Sequence, residues 1–132
     1  MNLTELLAEN MRIRFPGALI YSNVDPTREW NGTPTVEFIE TDRVTQNYIS
    51  SAFRTRIAAA MAFRAETEEE AAEYGEFLKI ALFETLDEIK NRGVFESWAF
   101  VGSGTTPDAR GVATGESFYW YLDFHVLERR EF

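Results

Sequence analysis

The apolar positions along the chain change period several times, and each change marks an element. Residues 2–14 repeat at helical spacing, with Leu3, Leu6, Leu7 and Met11 on one stripe. Asn2 stands where an N-cap belongs, Glu5 takes the capping-box position, and Pro16-Gly17 ends the helix. ALIYSNV (18–24) reads as a strand. Residues 25–35 read as a loop or inter-strand turn, carrying Asp25-Pro26 and Asn31-Gly32. TVEFIE (35–40) is strand-like. The polar stretch 41–50 has little pattern, and no turn can be placed in it.

SAFRTRIAAAMAFR (51–64) alternates. Phe53, Ile57, Met61 and Phe63 occupy odd positions, while Arg54, Arg56, three alanines and Arg64 occupy even ones. Alanine favours a helix by propensity, but a helical wheel scatters the arginines, whereas period two gathers them on one face. A strand is therefore expected. Thr67–Arg92 predicts a helix of about seven turns. Thr67 and Glu70 form a capping box, acids crowd its start, Lys90 and Arg92 lie at its end, and Gly93 supplies the left-handed stop. Two further strands follow, 94–101 and 117–128, joined by a Gly/Ser/Thr-rich loop over 102–116. The expected fold is a single α+β domain over 1–132: a mostly antiparallel sheet of about five strands with two helices packed on it, in the order α-β-β-β-α-β-β.

Composition narrows the function. With 132 residues, 45% hydrophobic and 27% charged, the chain can bury one real core. A formal charge of −9 argues against specific nucleic-acid binding and against adsorption to an anionic membrane. The absence of cysteine excludes disulfides and thiolate metal sites, and suits a reducing compartment. No apolar run approaches ~18 residues, the length a membrane helix needs. The charged N-terminus does not read as a signal peptide, so the Asn-x-Thr triplets at Asn2 and Asn31 are not expected to carry glycans.

SFYWYLDFHV (117–126) holds the only histidine. Period two puts Phe118, Trp120, Leu122, Phe124 and Val126 on a core face, and Tyr119, Tyr121, Asp123 and His125 on the other. Asp123 and His125 lie about 7 Å apart on that face. A catalytic pair also needs a nucleophile or a substrate pocket, and a metal needs further ligands. A solvated face or a subunit contact is the simpler reading. Gly111–Ser117 loosely resembles a phosphate loop, but Glu116 stands where lysine belongs and no helix follows. No cofactor and no metal are expected.

The long helix carries eight acids against three bases, a local charge of 3 − 8 = −5. Its core stripe is Tyr74, Leu78, Ala81, Leu82, Leu86 and Ile89. Ile80 and Phe83 fall on the acidic side, one turn apart, where they form a candidate protein contact. The only lysines are Lys79 and Lys90, so eleven of the thirteen basic residues are arginine. Arg54, Arg56 and Arg64 are candidates to pair with acids of a neighbouring subunit, since arginine suits planar, bidentate contacts.

The proline-led strand PTVEFIE, the run FRTRIAAAMAFRAETEEEAAEYGEFLKIALFETL and the closing aromatic strand FYWYLDFHVLE together resemble the tail terminator, or tail completion, proteins of long-tailed bacteriophages and prophages. The resemblance covers residues 34–92 best and lies in element order. It implies a structural virion assembly protein rather than an enzyme, made in the bacterial host cytoplasm and incorporated in the virion. Such proteins form a ring, commonly a hexamer, that ends the major tail tube and meets the head-completion protein, with DNA passing through. Ile80, Phe83, Arg54, Arg56 and Arg64 would then be ring contacts. Thr105, Asp108 and Arg110 in the 102–116 loop would meet the tube or the head. Two rivals remain in view: a small-ligand enzyme of the cone-shaped, curved-sheet type using Asp123 and His125, and another head-tail connector.

Overall fold

The computed structural model describes residues 2–25, 28, 32–49, 52–107 and 118–131. Two helices, α1 (Leu3–Arg14) and α2 (Glu68–Asn91), pack on one face of a five-stranded sheet. The strands are β1 (Leu19–Tyr21), β2 (Thr35–Ile49), β3 (Ala52–Ala65), β4 (Ser97–Pro107) and β5 (Phe118–Glu131). Their spatial order is β1-β2-β3-β5-β4, with β1 parallel to β2 and every other pair antiparallel. The α+β fold and its element order are those expected from the chain's periodicity.

Both helices begin as their capping chemistry dictates. The Asn2 side chain accepts from the Glu5 amide and Thr67 accepts from the Glu70 amide, each satisfying a donor the helix itself cannot. Gly93 follows α2 at φ 82°, and Gly32 lies at φ 90° ahead of β2; both are left-handed positions where a Cβ is disfavoured. Asn31 and Pro26, the other halves of the two expected turn pairs, lie outside the described residues.

The helix-facing side of the sheet is the core. Val36 and Phe38 from β2, Ile57, Ala59, Met61 and Phe63 from β3, and Trp120, Leu122, Phe124 and Val126 from β5 are all buried there. They meet Leu7 and Met11 of α1 and Leu78, Leu82, Leu86 and Ile89 of α2. Arg12 pins α1 to the sheet edge by donating from Nε and Nη2 to the Ile20 carbonyl at 3.1 and 2.7 Å. Phe118 is half-buried against the same core, so the strand face expected from period two is the one observed.

Three boundaries differ from the periodicity. The stretch 41–50, which showed no pattern, is the second half of β2 as far as Ile49. A register shift between Glu40 and Asp42 inserts Thr41 without a partner and reverses which parity faces the helices. Val36 and Phe38 lie on the helix side before it; Arg43, paired with Ile57 but itself exposed, lies on that side after it. Glu40 and Arg43 pair across the bulge at 2.6 Å, and that hydrogen bond holds the Arg43 pKa above its ordinary value. A bulge breaks period two, so the alternation test fails there although the strand continues. Next, the first strand is shorter than 18–24, ending at Tyr21.

Finally, β4 occupies 97–107 rather than 94–101, so the first part of the expected loop is strand. Gly102 and Gly104 argue against a strand locally. The long partner β5 overrides them, and a second bulge at Val101 accommodates the mismatch. Gly104 also leaves room for Tyr121, whose hydroxyl would stand 2.9 Å from any Cβ there.

Candidate interaction surfaces

The face of the sheet away from the helices reads as rows running across the strands. Val44, Arg56, Leu127 and Ser97 form one row. Asp42, Ala58, His125 and Ala99 form the next, then Ile39, Ala60, Asp123 and Gly102, then Glu37, Ala62, Tyr121 and Gly104. The last row is Thr35, Arg64, Tyr119 and Thr106. Neither α1 nor α2 packs on this side.

Asp123 and His125 share this face, as period two requires, and both are half-buried. Their lateral neighbours in β3 and β4 are Ala58, Ala60, Ala99 and Gly102, none of which carries a nucleophile or an acid. Neither makes a hydrogen bond or ion pair to another described residue. No group of three or more His, Asp or Glu side chains could hold a metal among the described residues.

The three candidate arginines of β3 share the outer face but do not share an environment. Arg64 is 3% exposed and is held inside the chain. Its Nε donates to the Tyr119 hydroxyl at 2.7 Å, and the Tyr119 hydroxyl donates to Glu37 Oε1 at 3.4 Å. Glu37, itself 1% exposed, also lies 3.7 Å from Arg64 Nε and binds Arg28 at 2.8 Å. Arg28 stacks over the Tyr21 ring at 3.5 Å, so the cluster ties the segment between β1 and β2 down onto the sheet. As a subunit contact, Arg64 is therefore corrected to an interior residue: its strand parity was right, but parity does not disclose a buried acid one strand away. Arg54 is partly shielded and pairs with Glu96 at 3.3 Å. Arg56 is exposed and pairs with no acid among the described residues.

On α2 the two candidate apolar residues also part. Ile80 is 57% exposed. Phe83 is half-buried, with its ring 4.8 Å from that of Trp98 and 5.7 Å edge-on from that of Phe100. Phe83 is thus partly covered by β4, while Ile80 stands clear of it. Phe77, three positions before Ile80, is also exposed at 63%, and on β4 Phe100 and Val101 are exposed as well. The i,i+3 spacing of Phe77 and Ile80 was a readable signal. Phe100 reaches Phe83 from the helix side of β4, in register with Phe124, and Val101 is the bulged residue that follows it. β4 is also an edge strand, with β5 as its one neighbour in the sheet.

Of the three loop candidates, Thr105 lies within β4 opposite Trp120, half-buried and on the helix side of the strand. Asp108 and Arg110 lie outside the described residues, as does the Gly111–Ser117 stretch. A shallow open groove of about 400 Å³ separates the end of α1 from β1, lined by Arg12, Phe15, Pro16 and Leu19–Tyr21. It gathers no reactive group beyond the Arg12 guanidinium already committed to Ile20.

The described residues thus form an α+β protein with both helices on one side of the sheet, an opposite face that is closed over Glu37 and Arg64 and open around Val44 and Arg56, and an acidic helix bearing exposed apolar side chains. Comparison with protein-family models gives no match, and comparison with curated proteins gives no significant match. No helix among the described residues is long and apolar enough to cross a membrane.

Proposed function

We propose that the chain is a structural assembly protein of a long-tailed bacteriophage or prophage. In this reading it forms a ring that ends the tail tube and joins it to the head-completion proteins. The observation that carries the reading is the pair of exposed apolar side chains, Phe77 and Ile80, on the helix with the greatest acidic surplus, with Phe100 and Val101 also exposed on the edge strand β4. Large apolar side chains gathered on a charged surface mark a protein contact. The element order α-β-β-β-α-β-β, which the resemblance to tail terminators implies, adds support. The net charge of −9 suits a ring through which DNA passes, because an acidic lumen does not retain phosphates. Virion location, the tube and head partners, and the absence of catalysis belong to this same proposal.

The test is genetic and structural. Deleting the gene from the phage or prophage that encodes it, and imaging the particles, is expected to give tails of irregular, extended length without attached heads. Expression of the chain from a plasmid restores defined length. Normal tails joined to heads in the deletion would contradict the function.

A further inference from the structure

Two surfaces of the chain complement one another, and they lie on opposite layers. The first is the α2 patch, where exposed Phe77 and Ile80 stand among Glu73, Glu76 and Glu84. Glu76 pairs with Lys79 and Glu84 with Arg14, but Glu73 pairs with no described residue. The second is the Val44-Arg56-Leu127 row of the open sheet face. Here an exposed arginine with no acid partner among the described residues stands between an exposed valine and a half-buried leucine. Neighbouring strands lie about 4.8 Å apart, so Val44 and Leu127 span about 10 Å. That is wide enough to receive two apolar side chains a helical turn apart.

Charge decides how such surfaces can meet. If α2 patches met each other, Glu73, Glu76 and Glu84 would face their own copies; if arginine rows met each other, Arg56 would face Arg56. Both symmetric pairings bring like charges together, which costs affinity and selects against them. The remaining pairing is acidic patch against arginine row. We infer that the α2 patch of one copy docks on the Val44-Arg56-Leu127 row of the next, with Glu73 answering Arg56 across the contact. Because the two surfaces differ, the contact is head-to-tail: each copy uses one and offers the other, and the chain of copies closes into a ring if the rotation closes. This inference rests on the ring reading and names its interface.

The experiment uses the full chain, purified, with sedimentation velocity and native mass spectrometry over a concentration series. The wild type is expected to form one discrete oligomer. Ile80→Lys and Arg56→Glu each weaken association by at least about tenfold, as loss of a central contact does. Both positions are exposed, and unchanged circular dichroism spectra show that the fold is intact. The charge-swapped double variant Arg56→Glu/Glu73→Arg is expected to recover most of the lost association, and added salt to weaken the wild type.

Oligomers indifferent to Ile80→Lys or Arg56→Glu overturn the interface, as does a wild type that stays monomeric throughout. Loss in both single variants without recovery in the double overturns the Glu73–Arg56 pairing. The ring reading fails separately, through normal tails in the gene deletion, so the two failures are told apart.

Discussion

Gly75→Ala destabilises this protein, although alanine is the better helix former. In an exposed helix the change would gain ~1 kcal/mol. Here Gly75 is buried on the sheet-facing side of α2, and an added Cβ would lie 2.4 Å from the Cδ2 and Cε2 atoms of Trp120. Those atoms belong to a rigid indole that is itself buried, flanked in the sheet by Phe63, which stacks on Tyr74 at 4.7 Å. Neither ring can turn aside cheaply, so α2 must move off the sheet. Overpacking of this kind costs about 1–3 kcal/mol and sometimes more, enough to outweigh the propensity gain. The urea midpoint is expected to fall at constant slope. Trp120→Leu in the same chain should recover part of the loss, so that the double variant is more stable than the two single effects add up to. A Gly75→Ala protein as stable as wild type would mean that α2 does not approach Trp120 this closely.

Glu37→Ala has the larger expected effect. The carboxylate is buried between Arg28 and Arg64, with the Tyr119 hydroxyl against it. Removing it leaves buried Arg64 without that counter-charge, and breaking a buried pair from one side costs about 3–5 kcal/mol. Replacing both partners, as in Glu37→Leu/Arg64→Met, removes the desolvated charges together and is expected to return most of the stability. The same change releases the Arg28 segment, so proteolysis between β1 and β2 should quicken in Glu37→Ala. Equal stability of the single and double variants would contradict the coupling.

These two sites show where the sequence was legible. Capping residues and unbroken periodicity were enough for α1, α2, β3 and the core face of β5, because each is governed by local chemistry. The second half of β2 and the true extent of β4 were hidden by a shared feature, to which β4 adds the strand-breaking Gly102 and Gly104. Each strand carries a bulge, at Thr41 and Val101, and a bulge reverses the inside-outside alternation on which the reading depends. Glu37 gave no local sign of burial, since an acid in TVEFIE alternates like any outward residue. Its burial follows from Arg28 and Arg64, which come from elsewhere in the chain. The arginine face was seen as one set and resolves into three fates: Arg64 interior, Arg54 paired with Glu96, and Arg56 exposed. Phe83 is half-buried because Trp98 and Phe100 reach it from β4, a contact its place on the helical wheel does not disclose. Ile80 remains exposed, accompanied by Phe77.

The proposed function places copies of this chain as a ring at one end of a tail tube. Electron cryo-microscopy of intact particles, with the chain carrying a small fused label, tests it most directly. Label density is expected as a single ring at the head-proximal end of the tube and nowhere along its length. Label distributed along the tube, confined to the tail tip, or missing from purified particles would contradict it.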